Sequence, residues 1–333
     1  MCLNKDWLPP LNQNPPRILV VRLGAMGDIV HALPAVASLK QSYPGAHLTW
    51  AVEPQWAALL EGNPFVDRVL PLRRRSASGL LQSLRELRAA PFDFAVDFQG
   101  LLKSAVVAAA ARPERIFGWD RAQLREPAAG IFYTNRAASN AIHVVDRNLD
   151  LAAAAGAREL ARVFPLPLGA PEAPLPPGAF VLASPLAGWR AKQWPMENYV
   201  NLAGMLQRES GVRLVLNVPP AAQIGNAEGV WLHACGLPGL IDATRRAAAV
   251  LGVDSGPMHL AAALGKRGAA LFGPTDPARN GPYGGSLRVL RWPEAVTTYK
   301  RLDEIDESMR RIAPGEVFAA LRQALDERGG GGA

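Results

Sequence analysis

The stretch Arg17-Ile-Leu-Val-Val-Arg22-Leu-Gly-Ala-Met-Gly-Asp28 decides how this chain is read. Arg17–Val21 is a strand-like run, Gly24 and Gly27 supply a turn, and a helical pattern opens near Ile29. A strand, a glycine turn and a helix point free backbone N–H groups at an anion. Asp28 stands out there, because a carboxylate on a turn suited to phosphate repels phosphate and needs a partner or a job. Two roles suit it and do not exclude each other. It can cap the helix by accepting from the N2 or N3 amide, or it can serve as a catalytic base.

Working outward, strand and helix signals alternate. Strands are expected at Arg17–Val21, Leu48–Val52, Arg68–Leu72 and Phe94–Phe98, with a short one near Ile116. Helices are expected at Ile29–Ser42, Ala77–Ala89, Leu101–Ala111 and Val145–Ala155. This alternation predicts an α/β doubly wound parallel sheet with its ligand crevice at the carboxyl ends of the strands. Pro165–Gly178 then places six prolines in fourteen residues, a density that interrupts helix and sheet alike and predicts a semi-rigid linker. A second α/β pattern follows. Its strands are expected at Phe180–Ala183, Val212–Asn217, Ala249–Val253 and Gly268–Phe272, and its helices at Glu197–Gln207, Leu240–Ala248, Met258–Leu264 and Gly315–Glu327. The predicted organisation is a Rossmann-like domain over 17–164, a linker over 165–178 and a second Rossmann-like domain over 179–328, with a cleft between the two. No tandem repeat is visible.

Composition narrows the class. The chain has 333 residues, enough for two cores, and is 49% hydrophobic and 20% charged, as soluble globular proteins are. No apolar run reaches the ~18 residues of a spanning helix. The proline-bearing start, Met1–Pro16, reads as a loose arm rather than a secretory signal, and Gly329–Ala333 as a disordered tail, so a cytoplasmic location is expected. Two cysteines, Cys2 and Cys235, exclude a disulfide framework and a four-cysteine zinc site. The five histidines show no paired ligand spacing, so no metal is expected. The net charge of +7 comes mostly from arginine, whose planar fork suits phosphate and carboxylate.

Five strings carry candidate chemistry. The Gly24–Asp28 turn lacks the third glycine of the dinucleotide fingerprint, and no acid sits cleanly at the end of the second strand. No Walker A string exists either, which disfavours a nicotinamide enzyme and a P-loop kinase alike. Gly252-Val-Asp254-Ser255-Gly256-Pro-Met-His259 joins a strand to a helix, where Ser255 and Gly256 would present amides to an anion. Asp254 and Ser255 are equally good caps, and His259 fits a core position. Lys192-Gln-Trp194-Pro195 precedes a helix on the same edge, as loop charge or ligand contact, with Trp-Pro arguing against a freely mobile loop. Phe272-Gly-Pro-Thr275-Asp276-Pro277 makes a rigid turn in which Thr275 and Asp276 contact a ligand or cap the turn. Arg73-Arg74-Arg75, with Arg121 and Arg125, forms a basic group whose mutual repulsion a bound polyanion would offset. A solvated face is the commoner origin of such a run.

Taken together, these strings resemble the ADP-heptose:lipopolysaccharide heptosyltransferases, glycosyltransferase family nine, from about Arg17 to Arg291. RLGAMGDIVHALPA resembles the family's opening turn, and VDSGPMHLAAALGK followed by LFGPTDP resembles its donor signature. Asp97-Phe-Gln-Gly-Leu-Leu-Lys-Ser104 and Arg125-Glu126-Pro127 are most similar to the type I enzymes, which attach the first heptose to Kdo of the inner core. The resemblance implies a GT-B fold, two Rossmann-like domains facing across a cleft. It also implies inversion at the anomeric carbon without an essential metal or cofactor, and no DxD motif is present.

By the same resemblance, Asp28 would be the general base and Lys192 would balance the leaving diphosphate. Met26, Gly27, Ala187, Gly188, Asp254, Ser255, Gly256, His259, Thr275 and Asp276 would join Lys192 in holding the nucleotide-sugar donor. Arg73, Arg74, Arg75, Gln99, Arg121 and Arg125 would hold the anionic Kdo–lipid A acceptor. Peripheral contact with the cytoplasmic face of the inner membrane would follow, although no amphipathic anchor is obvious; nucleic acid is not an expected partner. Two departures stand out. Ala187-Gly188 occupies positions where type I enzymes commonly carry hydroxyl residues. The segment VPPAAQIGNAEG is short, without the acid expected to meet a ribose.

Three other readings remain. A nucleotide-sugar-binding protein without catalysis would have no reason to keep Asp28. A family-nine transferase with another donor sugar or acceptor would keep the same machinery, although Arg73–Arg75 weighs against a neutral acceptor. A nicotinamide dehydrogenase is the remaining rival.

Overall fold

A computed structural model describes residues 15–222, 224, 228–298 and 300–329. Most of the expected N-terminal arm, with Cys2, and most of the expected glycine tail lie outside the described residues. The chain divides into two compact units, one ending at Pro167 and the other beginning at Leu168.

The first unit runs β1 (Arg17–Val21), α1 (Met26–Ser42), β2 (His47–Val52), β3 (Arg68–Pro71), α2 (Ala77–Arg88), β4 (Phe94–Asp97), α3 (Leu102–Ala110), β5 (Arg115–Trp119), β6 (Asn135–Ala137) and α4 (Val144–Ala154). Its six strands lie in the order β3-β2-β1-β4-β5-β6, all parallel, with Arg17 opposite His47 and Ile18 opposite Phe94. β1 and β4 are almost wholly buried, the signature of a parallel sheet covered on both faces. α1 packs on α4, while α2 adjoins α3.

The second unit runs β7 (Phe180–Ser184), α5 (Met196–Ser210), β8 (Arg213–Val218), β9 (Trp231–Ala234), α6 (Leu237–Arg246), β10 (Ala249–Val253), α7 (Gly256–Ala263), β11 (Gly268–Phe272), α8 (Pro277–Asn280), β12 (Leu287–Arg291), α9 (Glu307–Arg310) and α10 (Pro314–Gly329). Its parallel sheet has the order β12-β11-β10-β7-β8-β9. Renumbered within the unit, that is the first sheet's order again, the Rossmann order with the strand direction of travel reversing at one point. The duplication is topological and left no repeat in the sequence. The switch points fall between β1 and β4 and between β7 and β10, and both motif turns leave from them.

Packing explains why the KQWP string is rigid. Trp194 is buried, donates from Nε1 to the Ile312 carbonyl at 3.0 Å, and meets the Tyr199 ring edge-on at 4.9 Å. Burying a large apolar side chain contributes ~1.5–3 kcal/mol, so this anchor holds the loop bearing Lys192 firmly. The proline-rich segment carries no helix or strand, but it is not a bare spacer. Ala170 N–H donates to the Pro238 carbonyl at 3.1 Å, and the Pro174 carbonyl accepts from Trp231 Nε1 at 3.1 Å, so it lines β9 and α6.

The expected elements are present with small boundary shifts; the strands β6, β9 and β12 and the four-residue helices α8 and α9 are additional. Each additional strand ends its sheet or borders solvent, with charged or exposed residues that dilute the apolar run. Among the described residues, no helix is long and apolar enough to cross a membrane.

Candidate active site

In the first unit, α1 begins at Met26, three residues earlier than its apolar periodicity indicates, with Ala25 as the N-cap. Asp28 is therefore the third helical residue and not the cap, which corrects that expectation. Its Oδ2 accepts from the Ala25 N–H at 3.2 Å, while Oδ1 pairs with Arg22 Nη2 at 2.6 Å. The Asp28 side chain remains 43% exposed and is accessible from solvent. Met26 and Gly27 fill the first two helical positions, whose amides have no intrahelical acceptor. Gly24 is required by close approach: a Cβ there would lie 2.9 Å from Trp56 Nε1.

Arg22 crosses the switch point. Its Nη1 donates to the Phe98 carbonyl at 2.6 Å, and the neighbouring Leu23 N–H donates to Gln99 Oε1 at 2.9 Å. The ends of β1 and β4 thus carry Asp28 and Gln99 together. Beneath them Asp97 is fully buried and accepts from Ser104 Oγ (2.8 Å), Tyr133 Oη (2.7 Å) and the amides of Gln99 (2.9 Å) and Gly100 (3.2 Å). Burial raises the Asp97 carboxyl above its ordinary value despite these donors.

Two of the three arginines in the run are compensated within the chain. Arg73 pairs with Glu86 at 3.6 Å, Arg74 pairs with Glu53, and Lys103 approaches the same Glu53 carboxylate at 3.7 Å. Repulsion at Arg73 and Arg74 is thus offset within the chain, while Arg75 stays exposed. Glu53 directly follows β2, so the statement that no acid ends that strand is also corrected. Its carboxylate is taken by Arg74, Lys103 and Gln55. Arg75, Arg121 and Arg125 stand exposed in segments after β3 and β5, on the same edge of the sheet.

In the second unit, Lys192, Asp254 and His259 come together. Lys192 Nζ lies 2.9 Å from Asp254 Oδ2, His259 Nε2 lies 3.7 Å from Oδ1, and Nζ stands 4.6 Å over the Trp189 ring. Burial alone would raise the Asp254 carboxyl. The neighbouring His259 ring and the Lys192 charge outweigh it and hold the group well below the usual carboxylate range. Lys192 is thus pinned to the turn that opens α7 rather than swinging in solvent.

Gly252 permits that turn, since a Cβ there would fall 2.6 Å from Met258 Cβ. Ser255 is the N-cap of α7 but makes no side-chain cap bond, and its buried Oγ has no partner. Pro257 has no N–H, and Met258 and His259 donate back to the Ser255 carbonyl. Ser255 and Gly256 stand at the helix start, where amides have no intrahelical acceptor and suit an anion. At the end of the neighbouring β11, buried Thr275 Oγ1 is likewise unpartnered. Asp276 instead caps α8, accepting from Ala278 N–H at 2.9 Å, the turn-capping alternative read from the sequence. Ala187 and Gly188 lie in the loop before Lys192, with open space about Gly188. Part of the VPPAAQIGNAEG segment lies outside the described residues; its one acid, Glu228, is exposed.

Arg22, Glu53, Lys103 and Trp189 were not singled out as site residues. Arg22 and Glu53 each follow a strand directly, a signal that was available. Trp189 and Lys103 gain meaning only from what the fold sets beside them.

The profile of glycosyltransferase family 9 (heptosyltransferase) matches residues 80–306. Lipopolysaccharide heptosyltransferase 1 of Pseudomonas aeruginosa PAO1 is 34% identical over 301 residues, covering 81% of this chain and 82% of that protein. Its counterpart in Escherichia coli K12 is 30% identical over 305 residues, covering 83% and 94%. The E. coli heptosyltransferase WaaC, solved with ADP, superposes with a TM-score of 0.76 at 26% identity, covering 92% of this chain and 99% of that one. The same enzyme with ADP-2-deoxy-2-fluoro heptose gives 0.72 at 26% identity, covering 94% and 99%. The two Rossmann-like units are those of the GT-B heptosyltransferases, and the chain belongs to glycosyltransferase family 9.

Proposed function

We propose that this enzyme transfers heptose from ADP-heptose to the Kdo of the lipopolysaccharide inner core, carried on Kdo–lipid A, with inversion at the anomeric carbon. The reading is carried by one observation above all. A solvent-accessible carboxylate, Asp28, stands at the head of α1 in a chain whose relatives are named lipopolysaccharide heptosyltransferase 1.

In the proposed reaction the acceptor hydroxyl oxygen bonds to the anomeric carbon of heptose as the bond from that carbon to the diphosphate breaks. The hydroxyl proton passes to Asp28. ADP leaves with its new negative charge held by the Lys192 ammonium, His259 and the amides of Ser255 and Gly256, which suit charge developing on a leaving oxygen. Thr275, Asp276, Ala187 and Gly188 complete the donor side, and the Met26 and Gly27 amides are further donor ligands in this reading. Arg73, Arg74, Arg75, Gln99, Arg121 and Arg125 take the acceptor's phosphates and carboxylates. In this reading the chemistry uses the chain's own cation and helix amides and needs no resident cofactor or metal; the enzyme should therefore keep its rate when treated with chelator. Because the acceptor is lipid-linked, the enzyme works as a peripheral protein at the cytoplasmic face of the inner membrane.

The test is heptose transfer to Kdo–lipid A by purified protein, read by mass, beside Asp28→Asn. Wild-type transfer with a loss of about 10²–10⁴-fold in the variant is expected. Equal turnover would remove Asp28 as base. ADP binding without any transfer would move the assignment to another donor sugar or acceptor, the second reading that Ala187-Gly188 favours.

A further inference from the structure

We infer that the outer side of α2, α3 and the short 3-10 turn Pro127–Ile131 is a docking surface for an anionic lipid bilayer. It rests on the proposed lipid-linked acceptor for its purpose, but not for its physical basis.

Five large aliphatic side chains are exposed on these three adjoining elements. They are Leu80 (54%) and Leu81 (49%) on α2, Leu102 (43%) and Val106 (47%) on α3, and Ile131 (69%) at the end of the turn. Leu102 and Val106 are four apart and share one helix face. The elements are bound to one another. Arg88 Nε at the end of α2 donates to the Ala110 carbonyl at the end of α3 (3.0 Å), and Glu126, just before the turn, accepts the Leu102 N–H (2.8 Å). α3 packs on both neighbours. Exposed apolar groups gathered this way mark an interaction surface rather than scattered residues.

Charge selects the partner. Between Arg73 and Arg125 there are ten Lys and Arg residues against five Asp and Glu, +5 of the chain's +7. Four of those acids are committed internally: Asp97 is buried, Asp93 accepts the Arg17 N–H, Asp120 caps a turn at Ala122, and Glu86 pairs with Arg73; the fifth, Glu114, is exposed. Arg75 just before α2, Arg85 on α2 and Arg125 just before the 3-10 turn remain exposed. Aliphatic residues that enter the boundary between headgroups and acyl chains, ringed by arginines level with anionic headgroups, fit a bilayer leaflet. α2 and α3 also start at the sheet edge that carries Asp28, so docking presents that edge to a lipid-linked substrate. The anchor is invisible as a single amphipathic helix because three elements build it.

The test is co-sedimentation of the full chain with phosphatidylcholine vesicles, with and without about 30% phosphatidylglycerol, none of them containing acceptor. The wild type should bind the anionic vesicles, bind neutral ones far more weakly, and lose binding as salt is raised. The variant carrying Leu80→Gln, Leu81→Gln, Val106→Gln and Ile131→Gln changes only exposed positions and should keep its melting temperature. It should bind at least about 10-fold more weakly, and keep its transfer rate on acceptor dispersed in detergent. Unchanged vesicle binding by the variant overturns the surface, as does equal wild-type binding to neutral vesicles. So does a wild type that ignores every vesicle but associates with itself. Because the vesicles hold no acceptor, a wrong acceptor assignment shows in the transfer assay alone.

Discussion

Arg22 Nη2 lies 2.6 Å from Asp28 Oδ1, and the same guanidinium donates through Nη1 to the Phe98 carbonyl. One buried arginine thus ties the carboxylate at the head of α1 to the end of β4, across the switch point of the first sheet.

That tie makes Arg22 a positioning residue for the proposed base. Arg22→Gln should lower kcat by about 10–100-fold while the KM values for donor and acceptor stay within a few-fold, because small misplacements act on the reacting geometry. Arg22→Lys, which keeps the charge but not the fork, should recover part of the loss. A raised KM with unchanged kcat in Arg22→Gln would show that the residue binds substrate instead.

Lys192 and Asp254 should behave unequally. Lys192→Ala should weaken ADP binding and slow transfer, since it removes the cation nearest the proposed leaving group. Either substitution should lower stability, by about 3–5 kcal/mol, because it leaves one buried charge of the pair without its partner, but Asp254→Ala keeps the cation and should weaken ADP binding less. Calorimetry checks the stability loss, and ADP titration separates the two variants. Unchanged ADP affinity in Lys192→Ala counts against its role.

The depressed Asp254 carboxyl sets a pH window. A group whose folded pKa is lowered contributes stability that is present above its unfolded value and lost only as pH falls through the folded value. The second unit should therefore show no loss from this pair at mildly acid pH, and begin to lose it only below about pH 4, the ordinary range of an aspartate. Thermal melts of wild type and Asp254→Asn across acid pH check this: their difference should shrink only on strong acidification.

Arg74 shares Glu53 with Lys103. Arg74→Ala should raise the acceptor KM and leave ADP affinity alone. Glu53→Gln should loosen both cations and also move the acceptor KM. Loss of ADP binding in Arg74→Ala would assign the cluster to the donor.

Cys235 gives a chemical check on the second unit. Burial, with Glu172 and Asp242 nearby, pushes its thiol up to about 12, and its Sγ lies 3.0 Å from Asn217 Oδ1. Iodoacetamide should leave Cys235 unmodified in the folded chain near neutral pH and label it on unfolding, because the thiolate is the nucleophile. Rapid labelling of Cys235 in the native chain, read by peptide mass apart from Cys2, would place the thiol in a more open setting.

Much of this protein is determined by local sequence. Continuous apolar runs such as Ile18–Val21 and Ala249–Val253 specify central parallel strands, because strands buried on both faces tolerate little polarity. Glycine turns after β1 and β10 place Asp28, Ser255 and Gly256 at helix starts for backbone reasons that need no distant partner. The weaker edge strands β6, β9 and β12 escaped, because half-exposed strands lack that run. What the tertiary structure alone decided is which charges meet. Arg22 reaches Phe98 across 76 positions, Lys192 reaches Asp254 across 62, and Glu53 gathers Arg74 and Lys103 from separate elements. Strand order sets those encounters, and it arises from packing the whole sheet, so no window of sequence contains it.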